Sequence, residues 1–256
     1  MLNFLENCAL DINYDLESDA LLYGDQVKYN QRQKVSLRQL TPVLLNKSLT
    51  YPEFVYDEYN GVFLDGDLDF QQAKLSYDLF HIPPGLLGIE FIKTHIYYSA
   101  PCTEADGISS IVEVLYGHLT IILQKNKPRC CSDPFPKIDE AYLVRLKQGE
   151  RFVIPEAYYY NFLNTGESTV IFTRAYKKYN LANYEAIKKE HGLGYYCIRK
   201  NGREEIVQNP FYRDSPPIQE ADCEFCLMKH QLNTKMALYD LIRKQLKILA
   251  NEIATP

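Results

Sequence analysis

Tryptophan is absent, and the charge balance leans acidic: 28 Lys and Arg stand against 33 Asp and Glu, a formal net charge of -5. Nucleic-acid binding needs a basic face to neutralise phosphates, so no nucleic-acid partner is expected. No apolar run reaches the ~20 residues of a membrane-spanning helix, so no membrane partner is expected. The opening residues, MLNFLENCALDINYD, lack the basic lead and small-residue cleavage site of a secretory signal. Cysteines number 7, an odd count with irregular spacing, which argues against a secreted disulfide scaffold. Internal repeats and low-complexity tracts are also lacking. The expectation is a reduced, soluble, cytoplasmic protein.

What the chain does have is apolar bulk and aromatics. With 256 residues and 46% hydrophobic content it can bury a full core. Its 21 Tyr and 12 Phe suit β structure and aromatic-lined cavities. Short alternating or apolar runs separated by Gly, Pro and Asn dominate from Phe54 to about Tyr179. GIEFIKTHIYY, SIVEVLYGHLTIILQ, AYLVRLKQG, RFVIP and STVIFTRAYKK read as strands. This is all-β spacing, a sandwich or barrel and not a βαβ pattern. Residues 125–140, with three prolines, read as a loop, and NYEAIKKEHG as a short helix stopped by glycine.

Three segments follow: an N-terminal extension over 1–45, a barrel domain over 46–215 and a helical appendage over 216–256. The first is mixed and polar, with a short helix expected around Gln31–Leu40. In the last, Ile218 to Ile253 contains no Pro or Gly. Leu232, Tyr239, Leu246 and Ile253 recur every seven residues, with Ile242 and Leu249 between them. One long helix is expected, its stripe either packed on the barrel or forming a homodimer seam.

The stretch GERFVIPEAYYYNFLNTG (149–166) resembles the second motif of the cupins: Gly149, Pro155, position 160 and Asn164 stand at that motif's spacing. More specifically, LSYDLFHIPPGLLGIEFIKTHIYYSAP followed by SSIVEVLYGHLTIILQ resembles the cupin-type glucose-6-phosphate isomerases. FTRAY, NYEAI and NPFY continue the likeness in family order, over about residues 40–215. The resemblance implies an all-β cupin barrel, a double-stranded β-helix or jelly roll; the expected N-terminal extension and long C-terminal α-helix lie outside it. It implies carbohydrate metabolism, namely aldose–ketose isomerisation of a sugar phosphate in glycolysis or gluconeogenesis.

In that family a metal is held by two histidines of GHYH, the glutamate of EIYEVL and a histidine of the second motif. Here the four positions read Tyr97, Ser99, Ser110 and Tyr160. The frame persists in Pro83, Pro84, Gly88, Glu90, Lys93, Thr94, Glu113, Gly117, Pro155 and Asn164. Hydroxyls and protonated phenols are poor substitutes for imidazole and carboxylate ligands. Strand parity puts Tyr97 and Ser99 on one side, and Ser110, Val112 and Val114 likewise, so hydroxyls are expected to line the barrel. Of the phosphate-gripping set that the resemblance implies, Thr94 and Tyr176 match. Phe80, Ile96, Val112 and Ser76 do not, and the direction of Lys93 is open.

The expected function is therefore a degenerate, metal-free member, a pseudoenzyme that binds a sugar or sugar phosphate or serves in interaction. Its ligand-binding candidates are Thr94, Tyr97, Ser99, Ser110, Tyr160 and Tyr176, no cofactor is expected, and the tyrosines either fill or line the barrel. The alternative is an active isomerase using iron, manganese or zinc at a displaced site built from His95, Cys102, Glu104 and Asp106. The reading of that acidic pair as a solvated loop stays open. His118 is read as a core or rim histidine. Separately, CEFCLMKH puts Cys223, Cys226 and His230 on one helix face, where zinc could be held with a fourth ligand from Cys130, Cys131 or a second chain; the alternative is buried small hydrophobes.

Overall fold

Residues 1–67, 75–99, 110–127, 136–177, 184–213, 215–221 and 236–244 are described by a computed structural model of the chain. In chain order the strands are β1 (Leu2–Asn3), β2 (Ile12–Asp15), β3 (Ala20–Tyr23), β4 (Val27–Ser36), β5 (Phe54–Leu64) and β6 (Leu75–Ile82). They continue with β7 (Leu86–Leu87), β8 (Glu90–Lys93), β9 (Tyr97–Tyr98), β10 (Ser110–Tyr116), β11 (His118–Asn126) and β12 (Ile138–Lys147). The last six are β13 (Arg151–Ile154), β14 (Tyr159–Asn164), β15 (Val170–Lys177), β16 (Tyr195–Lys200), β17 (Arg203–Gln208) and β18 (Gln219–Ala221).

Two large sheets organise them. One runs β13-β10-β15-β6-β5-β4; the other runs β17-β16-β8-β14-β11-β12-β18, with β7 on β8 and β9 on β14. Their apolar faces meet through aromatics. Phe80 of β6 stacks on Phe172 of β15 at 4.7 Å, and Phe172 meets Phe162 of the opposite sheet at 4.6 Å. All three rings are fully buried. Each such side chain contributes about 2–3 kcal/mol of burial free energy, so this triple contact is a main tie between the sheets.

The expected strands form, with interruptions that have local causes. GIEFIKTHIYY splits into β8 and β9 at Thr94, whose side-chain hydroxyl, and not a backbone carbonyl, accepts from Phe162 N–H of β14 at 3.1 Å. SIVEVLYGHLTIILQ breaks into β10 and β11 at Gly117, whose φ is +79°. A Cβ there would meet the carbonyl oxygen of Thr169 at 2.5 Å, so only glycine fits the turn. NYEAIKKEHG forms a helix over Tyr184–Lys189.

Two expectations are corrected. Gln31–Ser36 is strand and not helix, since β4 pairs with β5 along Val27–Ser36 and satisfies its backbone groups there. Helix is confined to Leu37–Leu40, opened by a capping box in which Ser36 N–H donates to Gln39 Oε1 at 2.8 Å. At the other end the helix does not run unbroken from Ile218, because Gln219–Ala221 pairs in parallel with β12 at Tyr142–Val144.

Residues 238–244 are helical and lie on the back of the six-stranded sheet. Tyr239 meets Tyr77 at 5.4 Å, its hydroxyl donates to Asp67 at 3.1 Å, and Arg151 donates to the carbonyl of Met236 at 2.6 Å. Tyr239 and Ile242 of the apolar stripe therefore pack on the barrel. Leu232, Leu246, Leu249 and Ile253 lie outside the described residues. Among the described residues no helix is long and apolar enough to cross a membrane.

Candidate functional site

The inner faces of the two sheets converge on one side chain. Arg174, on β15, is 3% exposed, although a guanidinium is almost never buried without partners. Its position follows from parity: Phe172, Arg174 and Tyr176 share the inward face of β15. The guanidinium carbon lies 4.0 Å from the Tyr97 ring centroid, 4.2 Å from that of Tyr176 and 5.1 Å from that of Phe80.

Two carboxyl groups share this cation. Asp78 stands directly across the β6–β15 ladder, and its Oδ2 accepts from Arg174 Nη2 at 2.9 Å. Its Oδ1 accepts from Gly61 N–H at 2.9 Å and Ser76 Oγ at 2.8 Å. Glu58, on β5, is more loosely placed: its Oε1 lies 3.6 Å from Arg174, and its Oε2 accepts from the Tyr97 hydroxyl at 3.4 Å. Burial pushes the Glu58 carboxyl up to about 7, against the pull of Arg174 and with a further push from Asp78. Burial likewise holds the Tyr97 phenol well above its usual range, so it stays a donor.

Four of the six candidate binding residues come together here. Tyr97 and Tyr160 pair across β9 and β14 with ring centroids 5.6 Å apart, and the Tyr160 hydroxyl reaches Ser110 Oγ at 3.5 Å. Ser110 stands opposite Tyr176 in the β10–β15 ladder. Thr94 and Ser99 sit to the side. The Thr94 hydroxyl donates to the carbonyl of His95 and accepts from Phe162 N–H, while Ser99 exchanges backbone bonds with Tyr158 and Ala157.

Other candidates are elsewhere. Lys93 turns away from the centre: its Nζ bonds Glu90 and donates to the carbonyl of Val43 at 2.8 Å, so its role is to anchor the segment before β5. His95 packs near Tyr56 at 6.4 Å, and burial, aided by Lys188, holds its imidazole down at about 4. His118 is exposed on the rim. Cys102, Glu104, Asp106, Cys130, Cys131, Cys223, Cys226 and His230 lie outside the described residues.

Whether these residues suit a divalent cation can be judged from their donors. The four positions that hold the metal in the resembling enzymes supply two phenols and two alcohols, and a permanent guanidinium lies 4.0 Å from one of those phenol rings. Such a cation needs imidazole or carboxylate lone pairs at about 2.0–2.2 Å and is repelled by a neighbouring fixed positive charge. The donor set does not fit a metal. Among the described residues no group of three His, Cys, Asp or Glu side chains is placed to hold one.

Sequence reasoning did not single out Glu58, Asp78 or Arg174. The available signal was a charged residue at the inward step of an otherwise apolar strand, as in FTRAY, where Arg174 lies between Phe172 and Tyr176.

Facing sheets with a polar cluster between them define a cupin-type β-barrel. The chain belongs to the glucose-6-phosphate isomerase family: the family model described as "Glucose-6-phosphate isomerase (GPI)" matches residues 38–213, more than half of its length. Solved structures similar to it include an oxalate decarboxylase of Bacillus subtilis, at 13% identity and a TM-score of 0.32, covering 51% of this chain and 28% of that one. The cupin domain of CENP-C from Drosophila melanogaster is 12% identical with a TM-score of 0.29, covering 46% of this chain and 67% of that one. The first of the similar structures, the cysteine peptidase Peruvianin-I of Thevetia peruviana latex, has 16% identity and a TM-score of 0.28, covering 40% of this chain. This chain spans half of that peptidase and under a third of the decarboxylase. No curated protein matches the chain.

Proposed function

We propose that this protein is a glucose-6-phosphate isomerase-like cupin that binds a sugar or sugar phosphate in its barrel without a metal. The observation that carries the reading is the grouping of Tyr97, Tyr160, Ser110 and Tyr176 around the guanidinium of Arg174. Hydroxyls and aromatic rings suit a sugar, whose hydroxyls seek donors and acceptors and whose C–H faces pack on rings. The guanidinium provides a fixed cation where the resembling enzymes carry a metal ion. Buried free thiols at Cys8 and Cys197 support a reducing, cytoplasmic setting within the same proposal.

Calorimetric titration of chelator-treated protein with glucose 6-phosphate and fructose 6-phosphate tests it. Binding that persists in chelator is the expected result. Absence of binding, or binding restored only by iron, manganese or zinc, overturns the proposal.

A second reading, an active aldose–ketose isomerase, is favoured by one specific feature. Glu58 titrates near neutrality beside a cation, as a group that carries a proton between two carbons should. Conversion of glucose 6-phosphate to fructose 6-phosphate by the chelator-treated protein, lost in Glu58→Gln, would establish this second reading over simple binding.

A further inference from the structure

We infer that Arg174, Asp78 and Glu58 form a proton-coupled oxyanion site, in which Arg174 holds the anionic end of the ligand and Glu58 takes up one proton as it enters. This deepens the proposed function and rests on it, since the anion is that of the phosphorylated sugar.

The first observation is an unused donor. The Nε of Arg174 is buried and has no hydrogen-bond partner, whereas Nη2 serves Asp78. A buried N–H without an acceptor is unfavourable unless a ligand supplies one. Guanidinium N–H groups lie in the plane of the group, so an acceptor meets them at an edge, as the oxygens of a phosphate or sulfate do. Tyr97 and Tyr176, which lie against the guanidinium, are both partly exposed, so this aromatic wall reaches solvent.

Charge counting gives the second. One guanidinium faces two carboxyl groups, and an entering anion would make three negative groups around a single cation. In a low-dielectric interior that arrangement is strongly disfavoured, so one acid must be neutralised. Asp78 is committed to three donors: Arg174, Gly61 N–H and Ser76. Glu58 has only the long contacts to Arg174 and the Tyr97 hydroxyl. The proton therefore goes to Glu58, whose carboxyl already lies near neutrality through burial. The titratable and charged groups facing Glu58 are Tyr56 on its own strand, Asp78 on β6, Tyr97 on β9 and Arg174 on β15. The three tyrosine- and arginine-bearing positions keep their charge state across the neutral range, because burial raises both phenols and a guanidinium does not deprotonate.

Glucose 6-sulfate, whose charge is constant above pH 3, is the probe, with neutral glucose as control. Titrations at pH 8 in buffers of different ionisation enthalpy read the protons taken up. The expected result is close to one proton per glucose 6-sulfate and none for glucose, with affinity for the sulfate falling about tenfold per pH unit above neutrality. Glu58→Gln is expected to abolish both the uptake and the pH dependence. Glucose 6-sulfate binding without proton uptake overturns this inference while leaving the sugar-site reading in place. Failure of both sugars to bind overturns the two together. The buffer series on the unaltered protein decides the matter even where the variant does not fold.

Discussion

The guanidinium of Arg174 donates to the carboxylate of Asp78 at 2.9 Å, directly across the ladder that joins β15 to β6. Both residues are almost wholly shielded from water, at 3% and 0% exposure. Asp78 depends on this bond, since without Arg174 its charge would be stranded in the interior, whereas Arg174 also faces Glu58 at 3.6 Å.

Arg174→Met is accordingly expected to cost about 3–5 kcal/mol of unfolding free energy, because it leaves Asp78 buried without its cation. Adding Asp78→Asn should recover part of that loss, giving a favourable coupling in a double-mutant cycle read from urea unfolding. Additive losses would show that the two side chains do not depend on each other.

The Glu58 carboxyl sets a pH dependence of stability whose sign follows from its upward shift. Below its ordinary value of 4.5 both folded and unfolded chains hold the proton. Between 4.5 and about 7 the unfolded chain releases it while the folded protein keeps it, so stability falls as pH rises through that window and levels off above it. Glu58→Gln removes this slope. The stability of the variant relative to the unaltered protein should rise by about 2–3 kcal/mol from pH 5 to pH 8, measured by denaturant unfolding at each pH. An unchanged difference would place Glu58 in contact with water.

Two glycines with the same backbone hand separate strain from clash. Gly149 has a φ of +83° and open space around its Cα, so Gly149→Ala should cost only the left-handed penalty of about 1 kcal/mol. Gly117→Ala adds a collision with the carbonyl of Thr169 and is expected to cost at least about 2–3 kcal/mol more, with a correspondingly lower melting temperature. Equal losses would remove the steric argument.

The barrel was legible in the sequence because its strands bury one face or both, and apolar alternation reports this directly, as in SIVEVLYG and STVIFTRAY. The edge strand β4 was not. Five of its residues from Lys28 to Arg32 face solvent, so pairing with β5, and no apolar pattern, makes it a strand. The C-terminal segment misled in the opposite way, since QEA carries helix formers yet completes a sheet beside Tyr142. Tyr97, Tyr160, Ser110 and Tyr176 could be grouped from the resemblance. Glu58, Asp78 and Arg174 could not, because they are 20 and 96 residues apart along the chain and only the register of three strands unites them.

Neighbouring residues of β6 look in opposite directions: Tyr77 toward the ring of Tyr239 behind the sheet, Asp78 toward Arg174 in front of it. Whatever grips or releases the tail segment at Tyr239 thus pulls on the same few backbone bonds that aim Asp78. The rear brace and the interior charge share a lever one peptide long, so a change in how Tyr239 packs is felt at the backbone of Asp78.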